Sequence, residues 1–259
     1  MSAILNVFTN RHAPTTFSQL VFQDPLVQAA LALYTNRSRY DNILLYGPFG
    51  SAKSTTAHVI IEDRQNLNGS ISINVVRYSG RELKGEFKQK IENDIGLISN
   101  PTFGGNLEPY ILIDEVDQMT QNAQYDLREL MDTLPIGKFI MTSNNFHDVD
   151  GGVRDRSECF EILHPAPGQW LARATEIIRN DGFKVTNTAL LHTLSTASHT
   201  GAPPTMREVM RALNTLVISL RTSNGTSAPT NAVPAVFARS SVATTNLEAQ
   251  SISQHKKRN

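Results

Sequence analysis

The chain has 259 residues, 40% of them apolar and 19% charged, and its 24 Lys and Arg balance 24 Asp and Glu. That size suits one large or two smaller globular domains, and the even balance excludes a global field drawing the whole molecule to nucleic acid or membrane. The lone Cys159 excludes an internal disulfide, no apolar run is long enough to span a bilayer, and no basic-then-apolar leader opens the chain; an intracellular protein of cytoplasm or nucleus, without a membrane partner, is expected.

Met1 to His12 carries no clear signal. Pro14 to Gln23 reads as a strap, followed by a helix starting at Pro25 with Leu26, Ala29, Ala30 and Leu33 at helical spacing. Ile43 to Tyr46 is a short apolar strand. Gly47, Pro48, Phe49, Gly50, Ser51 and Ala52 then form a small-residue loop, and Lys53, Ser54 and Thr55 open a helix. This is the order of a P-loop, whose backbone N–H groups and helix N-terminus cradle a polyphosphate, with Lys53 on the β- and γ-phosphates and Ser54 on Mg²⁺. The usual pattern has Gly directly before the Lys, and here Ala52 stands there. A methyl group is tolerable there only if the backbone stays at negative φ and does not crowd the phosphate.

A second strand is expected over Ser72–Val76. The basic run from Arg77 to Asp94 follows as a solvated helix face or, in the sharper reading, a phosphate-tracking surface at Arg81 and Lys84. Asn100 to Pro109 reads as a loop. Tyr110 to Ile113 is a buried strand ending in Asp114 and Glu115, where a P-loop enzyme places one carboxylate on the Mg²⁺ shell and one beside the attacking water. Thr120 caps a helix reaching Leu134, and Lys138 to Thr142 is a strand with Asn144 at its tip. Asp148 to Gly152 is a turn, and Cys159 to Leu163 a fifth strand. Past Pro165 to Gly168 the periodicity is helical only: around Trp170–Arg179, around Ala189–Ala197, and from Met206 to Leu220 behind a Thr205/Glu208 capping box. From Thr222 onward Ser, Thr, Asn, Ala and Pro dominate, which predicts a disordered tail.

The expected fold class is therefore α/β, a P-loop NTPase with a five-stranded parallel sheet over residues 1–164. A small three-helix lid over 165–221 and a disordered tail over 222–259 follow. Residues 111–144, ILIDEVDQMTQNAQYDLRELMDTLPIGKFIMTSN, resemble the Walker B to sensor 1 segment of the AAA+ clamp-loader branch, the small subunits of replication factor C, and the likeness extends over about residues 13–221. The resemblance implies that ATP and Mg²⁺ bind at Lys53, Ser54 and Asp114, that Glu115 is the catalytic base, and that Pro14 and Val21 belong to the strap over the adenine. It makes Asn144 sensor 1, Arg207 the lid arginine of sensor 2, and Arg156 the finger that acts on ATP in a neighbouring subunit. Gln124 and Arg128 then couple DNA contact to Glu115. Ala13 stands where the family has Arg, Asp155 and Ser157 flank Arg156 where the family has Ser and Cys, and the collar of clamp-loader subunits has no counterpart in the sequence. The implied partners are copies or related AAA+ subunits in a ring or spiral, DNA, and a sliding clamp or helicase. The alternatives are a remodeller of a protein partner, of MoxR or helicase-loader type, and a slowly hydrolysing nucleotide switch or scaffold.

Overall fold

The computed structural model describes residues 2–66, 75–83, 87–98, 110–134, 138–198 and 202–223. Lys84, the expected loop over 100–109 and nearly all of the expected tail lie outside them. The chain opens with helix α1 (Ser2–Arg11), where no element was expected, and α2 (Pro25–Thr35) follows the strap. Asp24 caps α2 by accepting from the Leu26 N–H at 2.8 Å, with Pro25 in the first turn, where a missing N–H costs nothing. Its buried stripe is Leu31 and Tyr34, flanked by Val27 and Ala30, whereas Leu26 and Leu33 are exposed.

Then come β1 (Asn42–Tyr46), α3 (Lys53–Asn66), β2 (Val75–Ser79), α4 (Phe87–Ile98), β3 (Tyr110–Asp114), α5 (Gln121–Thr133), β4 (Lys138–Ser143), the single-turn α6 (Gly151–Asp155) and β5 (Ser157–Glu161). The five strands form one parallel sheet in the order β2-β3-β4-β1-β5. The three inner strands, β1, β3 and β4, are buried almost throughout, as strands covered on both faces must be.

Both edge strands differ from the sequence expectation. β2 is described from Val75 to Ser79, three residues past the expected end at Val76, with residues 72–74 outside the described ones, and β5 runs from Ser157 to Glu161 instead of Cys159 to Leu163. Each has one neighbour and an incompletely buried surface, so polar residues enter without penalty and the apolar run no longer marks the ends. Register decides instead: Val75 pairs with Tyr110, and Ser157 with Asn42. The expected turn at Asp148–Gly152 is likewise partly helical, because Asp150 accepts from the Gly152 N–H at 2.9 Å and starts α6.

Two apolar clusters cover the faces of the sheet. A third lies among α7 (Leu171–Asn180), α8 (Asn187–Ser195) and α9 (Met206–Ser223), joined by Phe8 of α1. The expected stripe of α9 is buried at Val209, Met210, Leu213, Leu216 and Val217, and its capping box is present: Glu208 accepts from the Thr205 N–H at 2.8 Å, and Thr205 from the Glu208 N–H at 3.2 Å. One carboxylate ties three helices together. Asp181, with a side chain 4% exposed, follows α7 and meets Arg11 at 2.8 Å, His12 at 3.2 Å and Arg221 of α9 at 3.2 Å.

Candidate nucleotide site

The loop after β1 sits where strand order reverses, β1 lying between β4 and β5, which is where open α/β sheets bind ligands. Gly47 has φ 138°, and a Cβ there would lie 2.4 Å from the Ile162 carbonyl oxygen; only glycine lets the loop pass the end of β5. Ala52 does not keep negative φ. It adopts φ 72°, in the left-handed region, because the backbone must reverse there to start α3 at Lys53. Ala52 therefore takes a conformation that favours glycine, at a steric cost.

Lys53 is 6% exposed, and its ammonium donates to the carbonyls of Gly47 at 2.9 Å and Pro48 at 2.8 Å. Burial pulls its pKa down to about 8 against the opposing pull of the Asp117, Glu115 and Asp114 carboxylates. The Ser54 hydroxyl donates to Asp114 Oδ1 at 2.6 Å, and Thr142 Oγ1 donates to the same oxygen at 2.9 Å. Glu115 stands beside them in the left-handed region (φ 58°), its N–H donating to Thr142 Oγ1 at 3.1 Å. Gly80 makes that possible, since a Cβ on it would lie 2.1 Å from the Glu115 carbonyl oxygen.

Arg81, expected on a phosphate-tracking surface, has an exposed side chain paired with the proposed base. Its Nε lies 3.3 Å from Glu115 Oε2. The register Ser79↔Asp114 brings both residues off the ends of adjacent parallel strands, onto the same side of the loop. Asn144, at the tip of β4, comes to the same place, its N–H donating to Asp117 Oδ1 at 3.3 Å. Phe49 is 72% exposed at the loop's outer edge, while Ser51 is buried and its hydroxyl has no partner among the described residues.

On the other side the loop meets the helical cluster. The Met206 N–H at the start of α9 donates to the Gly50 carbonyl at 3.1 Å, which puts the adjacent, exposed Arg207 at the loop's rim. Pro14 and Val21 of the strap line a narrow cavity with Ala52, Thr56, Ile177 and Met210. The strap is fastened there: Phe17 N–H donates to Asp63 of α3 at 2.7 Å, and Arg173 of α7 donates to the His12 carbonyl at 2.8 Å.

Gln124 and Arg128 lie on α5 and reach the loop before α6, not this cluster. Gln124 is buried, donating to the Asp148 carbonyl at 3.0 Å and accepting from the Asp150 N–H at 2.5 Å; Arg128 approaches Asp150 at 3.8 Å. Arg156 is at the opposite end of the sheet. Its carbonyl accepts from the Asn42 side chain at 3.1 Å, and Asn42 opens the strand whose last residue precedes the P-loop. Sequence reasoning missed Thr142, Asp117, Arg173 and the Arg81–Glu115 pair. The first and last follow from strand adjacency, which places the residues after Ile113 beside Met141 and those after Tyr78 beside Ile113.

These groups suit a magnesium-bound triphosphate. A buried cation, an orphaned hydroxyl and left-handed loop residues line the phosphate side, and a hydroxyl–carboxylate pair of hard oxygen donors stands where the metal of a nucleotide is held. Among the described residues no group of three or more His, Cys, Asp or Glu forms a protein-only metal site, and no helix is long and apolar enough to cross a membrane.

Residues 43–165 match the family model for AAA, the ATPase family associated with various cellular activities. The chain carries an AAA domain. It is similar to the replication factor C small subunit of Aeropyrum pernix, 23% identical over 192 residues that cover 73% of this chain and 58% of that protein. It is also similar to the replication factor C small subunit 2 of Pyrobaculum aerophilum, 26% identical over 200 residues, 70% of this chain and 56% of that one. The chain thus spans little more than half the length of these curated relatives. Among solved structures, the Thermotoga maritima RuvB Holliday junction branch migration motor shares the fold of the AAA domain and its helical companion, with a TM-score of 0.58 at 18% identity, over 82% of this chain and 67% of that one.

Proposed function

We propose that the chain is an ATP-hydrolysing AAA+ subunit of an oligomeric assembly that acts on DNA in the manner of a clamp loader. Residues 1–164 serve as the ATPase unit and 165–221 as its lid. The observation that carries this reading is the meeting of Lys53, Ser54, Asp114 and Glu115 at one end of β1, with Arg156 at the other end. ATP would lie with its base under Pro14 and Val21 and its phosphates along Gly47 to Thr55. Mg²⁺ would be held by Ser54 and Asp114 and supplies neutralisation of the phosphate oxygens. Lys53 balances charge developing on the β- and γ-phosphates. Glu115 accepts the proton of the attacking water, and the Asn144 amide orients that water. Arg207 reaches the nucleotide from the lid. Arg156 is too far from its own loop and serves the ATP of a neighbour, where a finger is worth several orders of magnitude in rate.

The test is subunit mixing. Arg156→Ala and Glu115→Gln should each be inactive, and their mixture should regain part of the ATP turnover. No recovery at any ratio removes the trans assignment. Gln124, hydrogen-bonded to the loop that leads to Arg156, and Arg128, 3.8 Å from Asp150 in that loop, would pass a DNA contact along α5. A slowly hydrolysing switch is the second reading, favoured by the Arg81–Glu115 ion pair, which occupies the proposed base. Turnover stimulated by primed duplex DNA and abolished by Lys53→Ala favours the loader. Stimulation by a protein partner alone favours a remodeller.

A further inference from the structure

Arg156 is more firmly held than a surface arginine needs to be. Its Nε donates to Asp132 Oδ1 at 2.7 Å and its Nη2 to Asp132 Oδ2 at 2.8 Å, while Nη1 donates to the Gly152 carbonyl at 3.0 Å. Asp132 lies in the last turn of α5, the helix that starts just past Glu115. A guanidinium has five N–H donors in a fixed plane. Three are used here, and one remains on each Nη, which is what a two-pronged grip on a phosphoryl group takes.

We propose that Asp132 is a positioning residue for Arg156, fixing the plane and direction of its guanidinium before a second copy of the chain brings its nucleotide to it. This rests on the reading that Arg156 acts in trans. The rotamer freedom of a long exposed side chain is then lost on folding instead of in the transition state, so the gain appears in kcat. The hydrogen bonds from Arg156 also hold the Asp132 carboxyl below the usual carboxylate range.

The test measures ATP turnover with Mg²⁺, with and without primed duplex DNA, for Asp132→Ala, Asp132→Asn and Asp132→Glu of the full chain, each checked by thermal melting. Asp132→Ala should lower kcat about 10-fold with KM for ATP unchanged. Asp132→Asn should lie between it and wild type, and Asp132→Glu should restore most of the rate. In mixtures, Asp132→Ala should be rescued by Glu115→Gln, whose intact Arg156–Asp132 pair serves the neighbour's site, and should not rescue Arg156→Ala. Wild-type kcat in Asp132→Ala while Arg156→Ala is inactive overturns the proposal and leaves the trans reading standing. Full turnover in Arg156→Ala overturns both. A defect that raises KM, or that Glu115→Gln subunits leave unrepaired, makes Asp132 a structural residue of its own subunit.

Discussion

Replacing Ala52 by glycine should make the protein more stable, against the general rule that glycine loosens a chain. Ala52 is held at φ 72° by the turn into α3. An L-residue in that region costs roughly 1–2 kcal/mol, which glycine avoids, while the freer unfolded chain of the glycine variant gives back about 0.4–1 kcal/mol. The balance is about 0.5–1 kcal/mol in favour of Ala52→Gly, a rise in Tm of about 2 °C for a chain of this size. Ala52→Val should go the other way, because a β-branched side chain tolerates the left-handed region less well than alanine. Thermal unfolding followed by circular dichroism on the three proteins, without nucleotide, measures both differences. A glycine variant that melts at or below the parent, or a valine variant that melts with it, would refute the account of a strained loop.

Three further outcomes are expected. Arg81→Ala frees the Glu115 carboxylate from an exposed pair worth up to about 1 kcal/mol, so basal ATP turnover should rise by up to about 5-fold; unchanged or lower phosphate release would deny that Arg81 restrains Glu115. Lys53, pulled down to about 8 by burial, carries less than its full charge above that pH, and phosphate bound beside it restores the charge. ATP binding should therefore take up a proton between about pH 8 and 10, measured by calorimetry in buffers of different ionisation enthalpy, and the uptake should vanish in Lys53→Ala. In the nucleotide-free protein the sign is the usual one for a depressed lysine: the unfolded chain binds more protons in that window, so this group's share of stability grows as pH rises from about 8 towards 10.5. Finally, Asp181→Asn removes the charge that Arg11, His12 and Arg221 share and should cost about 1–3 kcal/mol, seen as a lower Tm and faster tryptic cleavage at Arg11. An unchanged Tm would make that cluster dispensable.

Much of the centre was legible because burial on both faces writes itself into sequence. The inner strands at Ile43–Leu45, Tyr110–Ile113 and Phe139–Met141 read as apolar runs, and Thr120 and Thr205 announced their helices through hydroxyls that bond the first free N–H groups. The edges were less legible, since the C-terminal end of β2 and the ends of β5 are set by their neighbours' register and not by their own residues. The φ of Ala52 is not legible, because a residue type states a preference for φ, whereas the loop imposes a value. The Arg81–Glu115 pair is not legible, because charge along the chain says nothing about which strand end lies alongside; only the pairing of β2 with β3 brings Arg81 to Glu115. Asp132 gives no sign in the sequence, being one acid among several on a helix; only the fold sets Arg156 against it.

The five residues of β1 have a further consequence. The phosphate loop leaves one tip of that strand and the backbone of Arg156 is fastened to the other, about 13 Å away at the rise of an extended chain. With Arg156 serving a neighbour's nucleotide, as proposed, a molecule whose receiving point and giving point lie at opposite tips of one rigid rod has a direction, like an arrow. Arrows joined tip to tail repeat the same small rotation at every joint, so the angle of a single joint decides between a closed circle and an open screw.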